Sequence, residues 1–363
     1  MSNEPQRFKS NGGLIPRRAR KELTSLLSRG EVVALPTETV YGLAARADLP
    51  EAIERLRLLK NRPANMPLTW HVGDFQAIAN VELKNSVARL AQKYWPGPLT
   101  LIVRGADDRL ASVSDDGWTG IRLPAHTGTR EFLATLDFPI VMTSANQTGE
   151  PPLTTADQIV DVFGESLLGL VDDGPSRIGQ ASTVLRIGRG TFEVLREGLL
   201  SLSDLKRTAG LRIAFTCTGN TCRSPLAEAL TRLALGEALG VEPDQIEYFG
   251  FEVSSMGVFA SPGSPAANHS VTIMNQRGID LSKHQAQIAS EDLVARQDIV
   301  FGLTESHVDA LRAMLPTRQQ RQVQLLDPEG YGVPDPIGGS LEHYADCAEV
   351  IAAAIARRIH EWI

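Results

Sequence analysis

Cysteine is scarce in this chain: 363 residues hold only Cys217, Cys222 and Cys347. Three thiols cannot build a disulfide framework, and no pair of Cys-x-x-Cys motifs offers a zinc site. A reducing, cytoplasmic setting is therefore expected. Long apolar runs are also missing; none approaches the roughly 18–20 residues a membrane span needs. The opening stretch MSNEPQRFKSNGG is polar, so neither a secretory leader nor a membrane partner is expected. Excess positive charge is absent as well. The balance is −7, which argues against the basic footprint of a nucleic-acid binder, and direct tRNA binding is not expected. There is no GxxxxGK[ST] loop, no GxGxxG fingerprint and no HExxH motif. Any phosphate chemistry here uses other devices.

What is present suits a globular protein, with 42% hydrophobic and 22% charged residues. The length exceeds what one ordinary core holds, so two domains are expected. A short polar seam, SLSDLKRTAG (201–210), divides the chain into expected domains 1–205 and 208–363. Before it, strand-like runs (EVVALP, LTLIVR, FPIVMTSA, STVLRI) alternate with helical stretches (AIERLRLLK, NSVARLAQKYW), a mixed α/β pattern. After it, LRIAFT leads through a loop into the helix PLAEALTRLALGEAL. A strand around EYFGFEVSS, helices near 265–277, a strand DIVFGL and a final helix over 341–362 follow. That alternation predicts a doubly wound parallel sheet.

The segment Cys217-Thr218-Gly219-Asn220-Thr221-Cys222-Arg223-Ser224-Pro225 lies between strand and helix. Cys217 and Arg223 can face one phosphate while the intervening backbone amides curl round it. Amides at a helix N-terminus favour both an anion and a thiolate. Arg223 can grip two phosphate oxygens with its planar fork. Ser224 and Pro225 suit a helix start, and the Ser224 hydroxyl can bond Cys217. Gly219 permits a tight turn and Asn220 can pin it. The plainer alternative is that Cys217 is a structural thiol.

This stretch resembles the low-molecular-weight protein tyrosine phosphatase family, and the likeness runs to the end of the chain. By that resemblance Asp335, in VPDPIGGS, is the general acid, whereas Asp327 in LLDPEG is a turn residue. SSMGVFASP (254–262) and GIDLSKH (278–284) match further segments, with His284 a structural hydrogen-bonding residue. The implied mechanism has Cys217 attack phosphorus while Arg223 and the loop amides stabilise the equatorial oxygens. Asp335 first protonates the leaving group and then activates water. No metal or other cofactor is expected for this half, and its partner is a phosphoprotein. Cys222 either forms a reversible disulfide with Cys217 or packs the loop. Thr221 and the Gly338-Gly339 tail resemble the protein arginine phosphatase branch, so phosphoarginine is favoured over phosphotyrosine. The aromatic wall that usually follows Asp-Pro in tyrosine-directed members is replaced by Ile337.

Seven segments before the seam resemble the threonylcarbamoyl-AMP synthase family, in that family's order. They are PTETVYGLAA (36–45), KNRPANMPL (60–68), WPGPLTLIV (95–103), GIRLPAH (120–126), TSANQTGEPP (143–152), ASTVLRI (181–187) and VLREG (194–198). The resemblance implies a twisted mixed α/β sheet with a concave, cationic face. It assigns Lys60, Arg62, Asn65, Ser144, Asn146 and Arg196 to ATP, and Thr39, His71, Arg122 and Ser182 to threonine. Bicarbonate is the third substrate, Mg²⁺ is expected with ATP, and the product feeds the machinery that modifies tRNA with threonylcarbamoyl-adenosine. Read singly, these residues have plainer roles: Lys60 and Arg62 as a solvated helix end, His71 as a satisfied half-buried histidine, Ser144 and Asn146 as turn residues. The alternative for the whole chain is a non-catalytic nucleotide- or RNA-binding module attached to a tyrosine or low-specificity phosphatase.

Overall fold

The computed structural model describes residues 4–63, 66–81, 83, 85–105, 108–188 and 191–363. They form two compact units, Met1–Leu205 and Lys206–Ile363.

The first unit is built on one ten-stranded sheet. Its strands are β1 (Gln6–Lys9), β2 (Val33–Leu35), β3 (Gly42–Arg46), β4 (Thr69–His71), β5 (Leu99–Arg104), β6 (Trp118–Arg122), β7 (Ile140–Ser144), β8 (Gly169–Asp172), β9 (Thr183–Gly188) and β10 (Thr191–Arg196). The spatial order is β1-β8-β2-β3-β7-β4-β6-β5-β9-β10, with parallel and antiparallel pairs interleaved. This is the mixed sheet the resemblance implied.

Alternation decides what each face does, because successive side chains on a strand point to opposite sides. One face is apolar along its length: Leu43, Trp70, Leu101, Ile121, Val141 and Leu185 are all buried. The other face changes character part-way across. Around β2, β3 and β7 it carries Val33, Leu35, Ala44, Ile140 and Met142, which pack beneath Leu23 and Leu27 of the helix Arg17–Ser28 and beneath Phe132. Further along, the registered positions become Thr69 and His71 on β4, Trp118, Gly120 and Arg122 on β6, Thr100 and Ile102 on β5 and Val184 and Arg186 on β9. Those polar and cationic positions floor an open concavity.

The second unit has the expected parallel sheet: β11 (Arg212–Cys217), β12 (Glu252–Gly257), β13 (Ile299–Gly302) and β14 (Val323–Leu325), in the order β12-β11-β13-β14. Ala214, Met256, Val300 and Val323 pack with Val308 and Leu311 of the helix Glu305–Ala313 on one face. On the other, Phe215 stacks on Phe301, and Phe301 meets Trp362, from the helix Leu341–Trp362, at a tilt of 43°, with ring centroids 5.7 Å apart in both pairs. Strand order reverses at β11, and a reversal opens a crevice beyond the carboxyl ends of the strands. Cys217, the last residue of β11, stands at that crevice.

Two expected elements are corrected. The strand placed around EYFGFEVSS starts only at Glu252; Ile246–Phe249 form a 3₁₀ turn instead. Gly250, at φ 86°, ends that turn, and a side chain there would lie 1.9 Å from the Lys206 carbonyl oxygen. Between 265 and 277 there is one helix, Asn268–Asn275. No helix among the described residues is long and apolar enough to cross a membrane.

Candidate active sites

The concavity of the first unit has a volume of about 310 Å³. Among the described residues, four arginines, Arg62, Arg122, Arg186 and Arg196, line it against a single carboxylate, Asp115. So cationic a wall inside an acidic chain focuses attraction on an anion.

At one end, Lys60 closes the helix Pro50–Lys60, and Asn61 caps it in the left-handed conformation (φ 52°). Asparagine tolerates that geometry. The plainer reading of Lys60 as a solvated helix end does not hold, for it is 2% exposed. Its ammonium donates to the Ser144 carbonyl oxygen at 2.5 Å and to Asn146 Oδ1 at 3.3 Å. Ser144 Oγ donates to the same Oδ1 at 2.5 Å. Asn146 is itself fixed by donating to the carbonyls of Gln147 and Glu150. Burial, then the nearby Arg62 and Arg196 charges, push the Lys60 pKa down to about 7. Arg62 donates to the Pro67 carbonyl oxygen and its Nε is buried without a partner. Lys60, Ser144 and Asn146 thus meet, Arg62 lines the same cavity as Ser144, and Asn65 lies outside the described residues.

At the other end, Arg122 donates through Nη2 to Glu38 Oε1 (2.7 Å) and to Thr39 Oγ1 (2.8 Å), and through Nε to the Gly97 carbonyl oxygen. Glu38 also accepts from the Ala125 amide. Thr39 is fully buried behind Arg122 and does not line the cavity itself. Among the described residues Arg122 Nη1 has no partner. Arg196 donates to the Ser182 carbonyl oxygen and hydroxyl, and Ser182 Oγ meets Thr100 Oγ1 at 2.9 Å. A register shift between Val194 and Arg196 sets Arg196 opposite Val184, a bulge that aims its side chain into the cavity. His71 Nδ1 donates to the Thr69 carbonyl oxygen at 3.0 Å, leaving Nε2 as the acceptor. Burial, then Arg122, push its pKa down to about 3, so the ring is neutral.

Two residues here were not read from the sequence. Glu38 sits inside PTETVYG, and a carboxylate between threonines gives no hint of a buried arginine partner. Arg186 lies over the Trp118 ring, 5.4 Å from its centroid, with its Nε buried and unpartnered. Its place in the alternation of STVLRI beside Val184 was the available signal.

In the second unit the loop after Cys217 forms a cradle. Its carbonyls turn outward: those of Cys217, Thr218, Asn220 and Thr221 accept from Val258 N, Phe259 N, His284 Nε2 and Ala267 N. In a trans peptide the following N–H points the opposite way, so the amides of Thr218, Gly219, Thr221 and Cys222 face the centre. The left-handed residue of the turn is Asn220 (φ 54°), next to Gly219. The asparagine side chain makes that geometry tolerable: Nδ2 donates to Ser224 Oγ and Ser255 Oγ, and Oδ1 accepts from Gln287 N. Gly257 is required from beneath, because a side chain there would stand 2.6 Å from the Thr218 carbonyl oxygen. Cys217 Sγ lies 3.0 Å from Ser224 Oγ and accepts from Asn220 N at 3.3 Å. Arg223 donates to Asp335 Oδ2 at 2.6 Å, to Thr218 Oγ1 at 3.4 Å and to the Val333 carbonyl oxygen at 3.3 Å. Asp327 is occupied elsewhere, with Arg357 and the Glu329 amide. Cys222 Sγ lies 3.2 Å from Tyr344 OH and 3.6 Å from Thr221 Oγ1. Phe259, bonded to the loop through its amide, is 78% exposed.

A family model named Sua5_yciO_yrdC, described as telomere recombination, matches residues 25–198. The model for low molecular weight phosphotyrosine protein phosphatase matches residues 212–361. The putative threonylcarbamoyl-AMP synthase of Mycobacterium tuberculosis (strain H37Rv) is 30% identical over 52% of this chain and 88% of its own length. The chain belongs to the threonylcarbamoyl-AMP synthase family. Its second unit is a low molecular weight phosphatase domain. The threonylcarbamoyl-AMP synthase of Pyrococcus abyssi is 34% identical over 51% of this chain and 55% of its own. The chain therefore spans about half the length of that synthase, and likewise of the Bacillus subtilis one. Among solved structures, the YwlE arginine phosphatase from Geobacillus stearothermophilus is 29% identical, covering 42% of this chain and 91% of that one at a TM-score of 0.36.

Proposed function

We propose that the first unit makes threonylcarbamoyl-AMP from threonine, bicarbonate and ATP, for tRNA modification, and that the second is a cysteine-dependent protein phosphatase. The observation that carries the first half is the arginine-lined cavity flanked by the Lys60–Ser144–Asn146 cluster. Arg62 and Arg196 suit phosphate oxygens, and Lys60 holds the Ser144–Asn146 turn that faces the nucleotide. Arg122 Nη1 suits the threonine carboxylate, and neutral His71 offers Nε2 as an acceptor. The amine takes up bicarbonate with loss of water; the carbamate oxygen then attacks the α-phosphorus, and pyrophosphate leaves. Mg²⁺, which accompanies ATP, fits as an ion carried by the phosphates, since the cavity offers one carboxylate among arginines and no cluster of three His, Cys, Asp or Glu occurs among the described residues.

In the second unit the inward amides and Arg223 supply the cradle for a phosphoryl group, and Cys217 at its base supplies the nucleophile. The sulfur–phosphorus bond forms as the leaving group departs with a proton from Asp335; water, deprotonated by Asp335, then releases phosphate. Phosphoarginine is the favoured substrate. The Asp335 side chain is 41% exposed and can meet a guanidinium, and Thr221 places a hydroxyl in the loop.

The experiment uses the full chain and its Cys217→Ser variant. Pyrophosphate release should require both threonine and bicarbonate and should persist in the variant. Cys217→Ser should abolish phosphate release from phosphoarginine and phosphotyrosine peptides. Absence of threonine-dependent pyrophosphate release would leave the first unit as a binding module. Phosphatase activity surviving in Cys217→Ser would remove the second reading.

A further inference from the structure

Helix Glu305–Ala313 contributes one side chain to the phosphatase centre that its sequence did not mark. His307 is 4% exposed. Its Nε2 lies 3.0 Å from Thr218 Oγ1, and its Nδ1 lies 2.9 Å from Thr304 Oγ1. Thr304 Oγ1 lies 2.9 Å from Ser306 Oγ. On the other side, Thr218 Oγ1 accepts from Arg223 Nη2.

Donor and acceptor accounting gives one direction in which each bond of this chain has a fixed partner. Arg223 can only donate, so Thr218 Oγ1 accepts from it and has one hydrogen of its own to place. His307 Nε2 is the acceptor at hand. With Nε2 accepting, the ring proton sits on Nδ1 and goes to Thr304, whose hydroxyl hydrogen goes to Ser306. The hydrogens of Thr218, His307 and Thr304 then each have an acceptor within the chain. In the opposite tautomer both Nε2 and Arg223 donate to Thr218 Oγ1, and the hydroxyl hydrogen of the exposed Thr218 is left to solvent rather than to a fixed partner. Thr304 occupies the cap position of the helix yet makes no side-chain capping bond, so its hydroxyl is free for this role. The charged groups acting on the ring are Arg223 and Asp335. Burial and then Arg223 push its pKa down to about 4, which keeps it neutral at ordinary pH.

Resting on the phosphatase reading of the second unit, we propose that His307 is a positioning residue of that centre: it orients the Thr218 hydroxyl so that an oxygen lone pair faces Arg223, holding the guanidinium plane for the transferring phosphoryl group.

The test is a double-mutant cycle on the full chain with Thr218→Val and His307→Ala, measuring kcat, KM and inhibition by inorganic phosphate. Each single variant should lower kcat/KM by about tenfold, the value of a hydrogen bond serving a charged group, and weaken phosphate inhibition alongside. The double variant should fall no further than either single one, because both break the same chain. His307→Gln, whose amide oxygen can accept from Thr218, should recover most of the loss; it also serves where His307→Ala folds poorly. Additive losses, or no rescue by glutamine in a folded variant, would overturn the proposal. Wild-type protein lacking Cys217-dependent turnover would instead defeat the phosphatase reading on which it rests, and that is read in a separate control.

Discussion

Arg223 and Asp335 stand 112 positions apart in sequence, yet the guanidinium donates to the carboxylate across 2.6 Å. The group proposed to grip phosphate and the group proposed to move the proton thus hold each other in register. Arg223 is buried while Asp335 is 41% exposed. A buried cation is thus paired with a carboxylate that stays partly open to solvent. Asp335→Asn should lower kcat for peptide substrates by about 10²-fold or more, the usual worth of a positioned acid–base group. Substrates with an acidic phenol as leaving group should lose much less, since they need no proton. Equal losses for both classes, measured by steady-state kinetics, would remove the general-acid role.

Lys60 and Arg62 should separate when each is replaced by alanine. Both changes should cut threonylcarbamoyl-AMP formation by about tenfold or more, as expected for losing a charge-assisted contact. Lys60 carries a further pH signature. Its pKa is about 7, so the ammonium that anchors Ser144 and Asn146 is lost as pH rises through that value. The KM for ATP should rise above pH 7 in the wild type and stay flat in Lys60→Ala. Identical pH profiles for the two proteins would show that the ammonium plays no part.

Thr221→Ile should shift the phosphatase from phosphoarginine toward phosphotyrosine. The change removes a hydroxyl from the loop and adds apolar surface worth about 25 cal/mol per Å² buried against an aryl ring. The ratio of kcat/KM for matched phosphoarginine and phosphotyrosine peptides should fall. A wild type that already prefers phosphotyrosine, or an unchanged ratio, would end the arginine reading.

His71 makes stability depend on pH. Its native pKa is about 3, while a histidine in an unfolded chain titrates near 6.5. Between those values the unfolded chain binds the extra proton, so this contribution is complete above about pH 6.5 and is lost as pH falls toward 3. From pH 7 to pH 5 the loss should be about 2 kcal/mol. Urea unfolding of the wild type and of His71→Gln at both pH values reads it out: the variant should lose less by about that amount.

The phosphate loop was legible because it is nearly contiguous. Residues 217–225 hold the proposed nucleophile, the cradle amides, the arginine and the helix start, and a strand-to-helix turn needs particular residues at fixed offsets. The alternation that puts Thr69 and His71, or Gly120 and Arg122, on one face is equally local, but these strands are short and did not stand out among the apolar runs. Asn220 as the left-handed residue was less legible, since Gly219 beside it is the commoner choice for such a turn. The strand around EYFGFEVSS was misplaced because its run of β-favouring residues does not show that Gly250 must pass against the Lys206 carbonyl.

The sequence by itself determined the two-part architecture, the sheet types, and the local groups in which the chemistry resides, because those depend on periodicity and on neighbours along the chain. Only the tertiary structure decided which groups complete one another. Arg122 meets Glu38 from 84 positions away, Lys60 meets Ser144 from 84, and His307 meets Thr218 from 89. Such pairings follow from strand order and register, which bring distant side chains to one depth of one crevice. A buried charge or hydroxyl then has to take whichever partner the fold delivers there, and no local pattern in the chain encodes that choice.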